Sequence, residues 1–150
     1  MLSTVILPWL HYVTLLMMAG AAVAELYLLR LPATADTVRL LPRVDLFYGL
    51  NAIGVLVTGL LRMYHGGKGA DYYWSNGLMH GLLTAYFIAF LISLVPTLRF
   101  RRWARSLSVD GSLPTPEGVR KTAPLVHIQL TLIALMALMI TLVARGYGGS

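Results

Sequence analysis

Seven ionisable side chains lie inside or at the edges of otherwise apolar stretches: His11, Glu25, Asp45, Arg62, His80, His127 and Arg145, with Asn51 and Asn76 as neutral company. On insertion scales such a group costs about 2.5–3.5 kcal/mol at the bilayer centre, so it defaults to an interior-facing, paired or functional position. Two neutral imidazoles at one depth are a ligand set for a b-type haem held between bundle helices. Two carboxylates and an imidazole, as in Glu25, Asp45 and His127, can bind a divalent metal or relay a proton. The chain has no cysteine, which excludes disulfides, thiol nucleophiles, thiolate metal sites and thioether-attached haem. Nucleophile chemistry finds little support, since Ser3, Ser75, Ser93 and Ser106 have no neighbouring base and no Gly-x-Ser-x-Gly elbow occurs.

The elements that must position these groups are membrane spans. Of the 150 residues, 57% are hydrophobic and 12% charged, whereas a soluble domain carries roughly 25% charged residues. Spanning the bilayer takes about 20 apolar residues. Four stretches qualify: Thr4 to Leu29, Val44 to Leu61, Ser75 to Leu98 and Pro124 to Ala144. The expected fold is an all-α integral membrane four-helix bundle forming a single domain. Loops one and three share a side and hold nine Lys and Arg residues, against three in loop two and near the C-terminus. Basic residues stay cytoplasmic, so both termini are expected outside (periplasmic) and the loop over residues 99–123 cytoplasmic. The net charge of +6 then follows from topology and calls for no nucleic acid. A secretory signal is the alternative for the first stretch, where Ala22-Val23-Ala24 resembles a cleavage site. Against it, no Lys or Arg precedes the apolar run and His11 interrupts it.

Local chemistry refines the boundaries. Pro32 ends the first helix and Pro42 suits the first turn of the second. Thr115-Pro116-Glu117 is a helix-start signature, read as a short interfacial helix that kinks or breaks at Pro124. Arg99 to Leu107, with Phe100 and Trp103, reads as a snorkelling or in-plane segment on an anionic leaflet. Trp9, Tyr12, Tyr64, Tyr72, Tyr73, Trp74 and Tyr147 form an outer aromatic belt. Gly20, Ala21, Ala24, Gly54 and Gly59 offer small surfaces for close helix contact.

Threaded through alternating directions, the polar residues fall into two layers. His11 lies roughly 10 Å below the outer end of the first helix and His80 roughly 8 Å below that of the third, at about 1.5 Å per residue. Arg62, Arg145 and Asn76 cap this outer layer, and both arginines can pair with haem propionates. The bland alternative hydrogen-bonds His11 and His80 to Thr14, Thr84 or each other. At the opposite end, Glu25, Asp45 and His127 form a second layer, either functional or structural. Glu25 follows His11 by 14 residues, which at about 100° per residue returns it to within about 40° of the same face. Asn76, His80 and Thr84 make one polar stripe, and His127, Thr131 and Thr141 make another.

Asp45-x-x-Tyr48-Gly49, Arg62, Lys68-Gly69, Tyr72-Tyr73, Asn76, Ser93-x-x-Pro96-Thr97 and Ala144-Arg145-Gly146, with His11 and Glu25, resemble a bacterial family of predicted four-helix inner-membrane proteins of unknown function. The resemblance implies about the whole chain and a bacterial cytoplasmic-membrane location. The architecture is similar, more distantly, to the four-helix membrane protoporphyrinogen IX oxidases and to copper-resistance membrane domains. The former family implies a first-helix histidine and a third-helix lysine around b-haem. Here His11 matches the first, and His80 stands in place of the second.

The leading expectation is a membrane protein that binds haem b through His11 and His80 and passes electrons from a quinol or porphyrinogen-like donor; whether it is an enzyme stays open. The rival is a non-enzymatic accessory or assembly subunit of a larger membrane complex or homo-oligomer. A third class, metal or proton transport, would use Glu25, Asp45 and His127.

Overall fold

The computed structural model describes residues 2–66 and 68–149, with side chains from Thr4 onward. A π-helical turn (Leu2–Ile6) leads into α1 (Leu7–Arg30). Then come α2 (Ala35–His65), a single turn α3 (Ala70–Trp74), α4 (Gly77–Asp110) and α5 (Pro116–Ala144). The four long helices are each long and apolar enough to cross a membrane. They run up and down, with both termini at one end and most of the arginines at the other.

Sequence dictates where each helix starts and stops. Leu31 turns to extended backbone (ψ 157°) ahead of Pro32, as a residue before proline must. At Thr34 a capping box restarts the chain: its hydroxyl accepts from the Thr37 amide at 3.3 Å, and the Thr37 hydroxyl accepts from the Thr34 amide at 2.9 Å. This box opens α2 nine residues before Val44, so Pro42 lies inside the helix rather than in its first turn. The helix tolerates it because Val38, Leu41, Asp45 and Tyr48 form one buried face.

Within the segment over residues 99–123 only residues 111–115 form a loop. The third span continues unbroken to Asp110, roughly 18 Å past Leu98. It stops at Gly111 in the left-handed conformation (φ 73°). Thr115 caps α5 by accepting from the Gly118 amide at 3.1 Å, and the helix passes through Pro124 without a break. The physical reason is packing. Phe100 is wholly buried and meets Trp103 at 5.7 Å between ring centroids. Arg99 donates to the Thr122 hydroxyl at 2.9 Å. Trp103 in turn lies against α5, its Cζ2 3.6 Å from the position of a Cβ at Gly118.

In the bundle, α1 packs on α2 and α5, and α4 packs on α5 and α2, which leaves α1 and α4 on a diagonal. Met18, Ala21, Ala22, Leu29, Tyr48, Phe100, Val126, Ile133 and Met136 belong to the core. The most extensive helix packing is between α1 and α2. A Cβ at Gly54 would meet Thr14 Cγ2 at 2.9 Å, and one at Gly59 would meet His11 Cε1 at 3.2 Å. Gly20 differs from the expectation, for its missing side chain faces open space, while Ala21 and Ala22 make the contact.

Gly54→Val should therefore force α1 and α2 apart and cost about 1–3 kcal/mol. Gly20→Ala should be neutral or stabilise by up to about 1 kcal/mol. Denaturant unfolding in mild detergent, followed by circular dichroism, distinguishes the two.

Candidate functional site

At the end that carries the termini, the bundle opens into a cavity of about 390 Å³ to which all four long helices contribute. That volume lies within the roughly 300–1,000 Å³ of small-molecule sites. Leu15, Val55, Leu82 and Ile140 supply apolar wall. Four of the seven methionines, Met18, Met63, Met79 and Met136, also line it. Its polar groups include His11, Tyr12, Arg62, Tyr73, Tyr86 and Arg145.

His11 is held by a defined chain of hydrogen bonds. Its Nδ1 lies 2.9 Å from the Thr58 hydroxyl, which in turn lies 2.6 Å from the Gly54 carbonyl. A hydroxyl has one proton, and at 2.6 Å the Gly54 carbonyl must receive it. Thr58 therefore accepts, and His11 Nδ1 carries hydrogen. The other ring nitrogen, Nε2, is left with its lone pair, the form that ligates metal or accepts a proton. Gly59 makes this geometry possible by letting the ring lie against the α2 backbone.

Among the described residues, the two arginines at the cavity have no carboxylate partner. Arg62 lies over the Tyr12 ring at 5.3 Å from its centroid. Arg145 is placed by a brace at the end of α5. There Tyr72 donates to the Val143 carbonyl at 2.7 Å and Lys68 donates to the Ala144 carbonyl at 2.6 Å. Among the described residues the one ion pair, Lys121 with Glu117, lies at the opposite end. Two cations beside an apolar chamber suit a ligand with an apolar body and an anionic tail.

The remaining expected site residues separate. His80 is exposed and outside the cavity; its Nε2 donates to the Trp74 carbonyl at 2.9 Å. Its helix is diagonal to that of His11, not an antiparallel neighbour, so the two imidazoles are not brought face to face. Asn76 is buried, but as the cap of α4: its oxygen accepts from the Leu78 amide at 3.0 Å and its nitrogen donates to the Tyr147 carbonyl at 2.9 Å. Its oxygen is thus used at the start of α4 and its nitrogen on the tail beyond α5. Thr84 and Thr131 are exposed too, each hydroxyl donating one turn back along its own helix, to His80 and His127 carbonyls. This self-satisfaction lets Thr84 and Thr131 leave the interior, whereas Thr141, bonded to the Ala137 carbonyl in the same way, lines the cavity.

In the second layer Glu25 and Asp45 are buried at 1% and 6% exposure, and Asp45 accepts from the Thr97 hydroxyl at 2.8 Å. His127 instead turns outward, with its Nε2 3.4 Å from the Arg30 guanidinium. Among the described residues no three His, Asp or Glu side chains gather as a metal site would require, so the expected Glu25, Asp45 and His127 trio does not assemble. Gln129 takes the interior place on α5, buried and without a hydrogen-bond partner. Sequence reasoning passed over Gln129 and Thr58, and took Thr97 only as part of the family motif. The traceable signal for Gln129 is its register with Val126, Ile133 and Met136, the buried face of α5.

His80→Ala should lower stability by about 1 kcal/mol through loss of the Trp74 bond, and Asn76→Ala by about 1–2 kcal/mol through loss of a helix cap. Thermal unfolding in detergent measures both. Equal stability of wild type and Asn76→Ala would remove the capping assignment.

No curated protein and no solved structure matches the chain. A family description does, over residues 3–148, nearly the full length. The chain belongs to the DUF2214 family of predicted membrane proteins.

Proposed function

We propose that this protein binds an amphipathic cofactor in the cavity at its termini-bearing end, that the cofactor is a b-type haem ligated by His11, and that the protein serves electron transfer. The observation that carries the reading is His11, held through Nδ1 by Thr58 on the wall of a mostly apolar cavity, beside two arginines with no carboxylate partner among the described residues. Such a haem supplies one-electron redox chemistry. The chain's own residues would do the rest. His11 would hold the haem from α1, and the thioether of Met18, Met63, Met79 or Met136 on the cavity wall would be the further ligand, since His80 lies outside the cavity. Arg62 and Arg145 would pair with carboxylates at the rim.

In this reading the nine Lys and Arg residues of the opposite end lie in the cytoplasm. The termini and the cavity mouth then face outward from a bacterial cytoplasmic membrane. A quinol or porphyrinogen-like donor could reach the site from the outer leaflet, since these molecules partition into lipid.

An absorption spectrum of protein purified after haem-supplemented expression tests the proposal. A Soret band that disappears in His11→Ala and persists in His80→Ala is the expected result. Arg62→Ala should weaken haem retention about tenfold, the loss of one charge-assisted hydrogen bond worth roughly 1.5 kcal/mol. A colourless preparation contradicts the proposal. Colourless protein that co-purifies with a larger membrane complex would replace it with the accessory-subunit reading.

A further inference from the structure

Six Asp and Glu residues occur in the chain. Asp36, Asp71, Asp110 and Glu117 are exposed, whereas Glu25 and Asp45 are buried within spans. No basic side chain is bonded to either buried carboxylate among the described residues. Asp45 takes the Thr97 hydroxyl, but Glu25 Oε1 is buried with no partner at all. Neither amide atom of Gln129, on the face of α5 that faces the bundle interior, has one either. Each orphaned group costs about 1–3 kcal/mol, which the hydrocarbon gives water little chance to relieve.

The groups around the pair can be named from each packed element. From α2 comes Tyr48, buried at 5%. From α4 come Thr97, bonded to Asp45, and Tyr86, which donates to the Ala52 carbonyl at 2.7 Å; the buried polar side chains of α5 are Thr122 and Gln129. Arg101, exposed one turn beyond Thr97, is the cation whose charge reaches Asp45. Glu25 lies among the buried residues of α1, and Asp45 and Tyr48 lie on the buried face of α2, the helix that packs most extensively on α1. A calcium ion would want about 6–8 oxygen ligands and magnesium a near-ideal octahedron. Two carboxylates with no third His, Asp or Glu nearby serve neither. A proton needs a single oxygen.

We propose that Glu25 and Asp45 form an intramembrane proton-binding pair, with Glu25 the carboxyl that holds the proton and Asp45, fixed by Thr97, its positioned neighbour. One O–H bond forms at Glu25 on uptake and breaks on release, and nothing is oxidised or reduced. Tyr86 lines the cavity and donates to the Ala52 carbonyl, one turn beyond Tyr48 on α2, which sets Asp45 and the cavity along the same helix. The proton-binding claim itself does not rest on what occupies that cavity.

Difference infrared spectroscopy of the full chain in lipid nanodiscs, without added haem, tests it. Wild type should show a carboxylic acid C=O band that bleaches on passing from mildly acidic to mildly alkaline medium. The band should be lost in Glu25→Gln and shifted in Asp45→Asn. Absence of the band from wild type throughout that range overturns the proposal, whatever the folding of the variants. So does a band that survives both substitutions, or one that sodium bleaches at constant pH, which would make the pair a sodium site.

Discussion

The contact between α1 and α2 is the constraint on which the rest of this molecule depends. Gly54 and Gly59 carry no side chain where Thr14 and His11 press in. The two helices therefore approach closely enough for Thr58 to hold the His11 ring. A bulkier residue at Gly59 would displace the imidazole, and with it the only histidine on the cavity wall. Hydrocarbon offers little hydrophobic drive for one apolar helix to bind another, so small residues and buried hydrogen bonds carry the association. Here the same few residues both close the bundle and fix the chemistry of its one interior imidazole.

A second rule sorts the polar residues. A side chain that can satisfy itself on its own helix is free to face outward, and one that cannot must stay inside. Thr84, Thr131 and Thr141 donate to carbonyls one turn back and are exposed. Glu25, Asp45 and Gln129 have no such local solution and are buried. At the termini-bearing end, Lys68, Tyr72 and Asn76 bind backbone carbonyls of α5 and the tail beyond it. Their polarity is structural, and it holds Arg145 at the cavity.

Much of this was legible in the sequence, and the misses share a cause. The four spans follow from composition. The common face of His11 and Glu25 follows from a spacing near a whole number of turns, and the structure has both on interior-facing positions of α1. Spacing alone could not separate a stripe that points inward from one bonded to its own backbone, which is why His80 and His127 fell on the wrong side. Matching depth said nothing about diagonal placement. Pro42 and Pro124 were read as boundaries, but a helix with a well-packed face runs through a proline. The basic, aromatic stretch after Leu98 looked like a membrane-surface segment because its partner, the start of α5, lies more than twenty residues away in sequence, where Thr122 meets Arg99.

The account makes one atom central: the unprotonated Nε2 of His11. Nitrogen-15 NMR of imidazole-labelled protein in lipid, assigned by comparison with His11→Gln, reads the ring's tautomer directly. The structure requires hydrogen on Nδ1 and a bare Nε2, as the Thr58 and Gly54 bonds dictate. Hydrogen on Nε2 with Nδ1 bare would mean that Thr58 donates to the ring, that no lone pair is available to a ligand, and that the cavity does not bind as described.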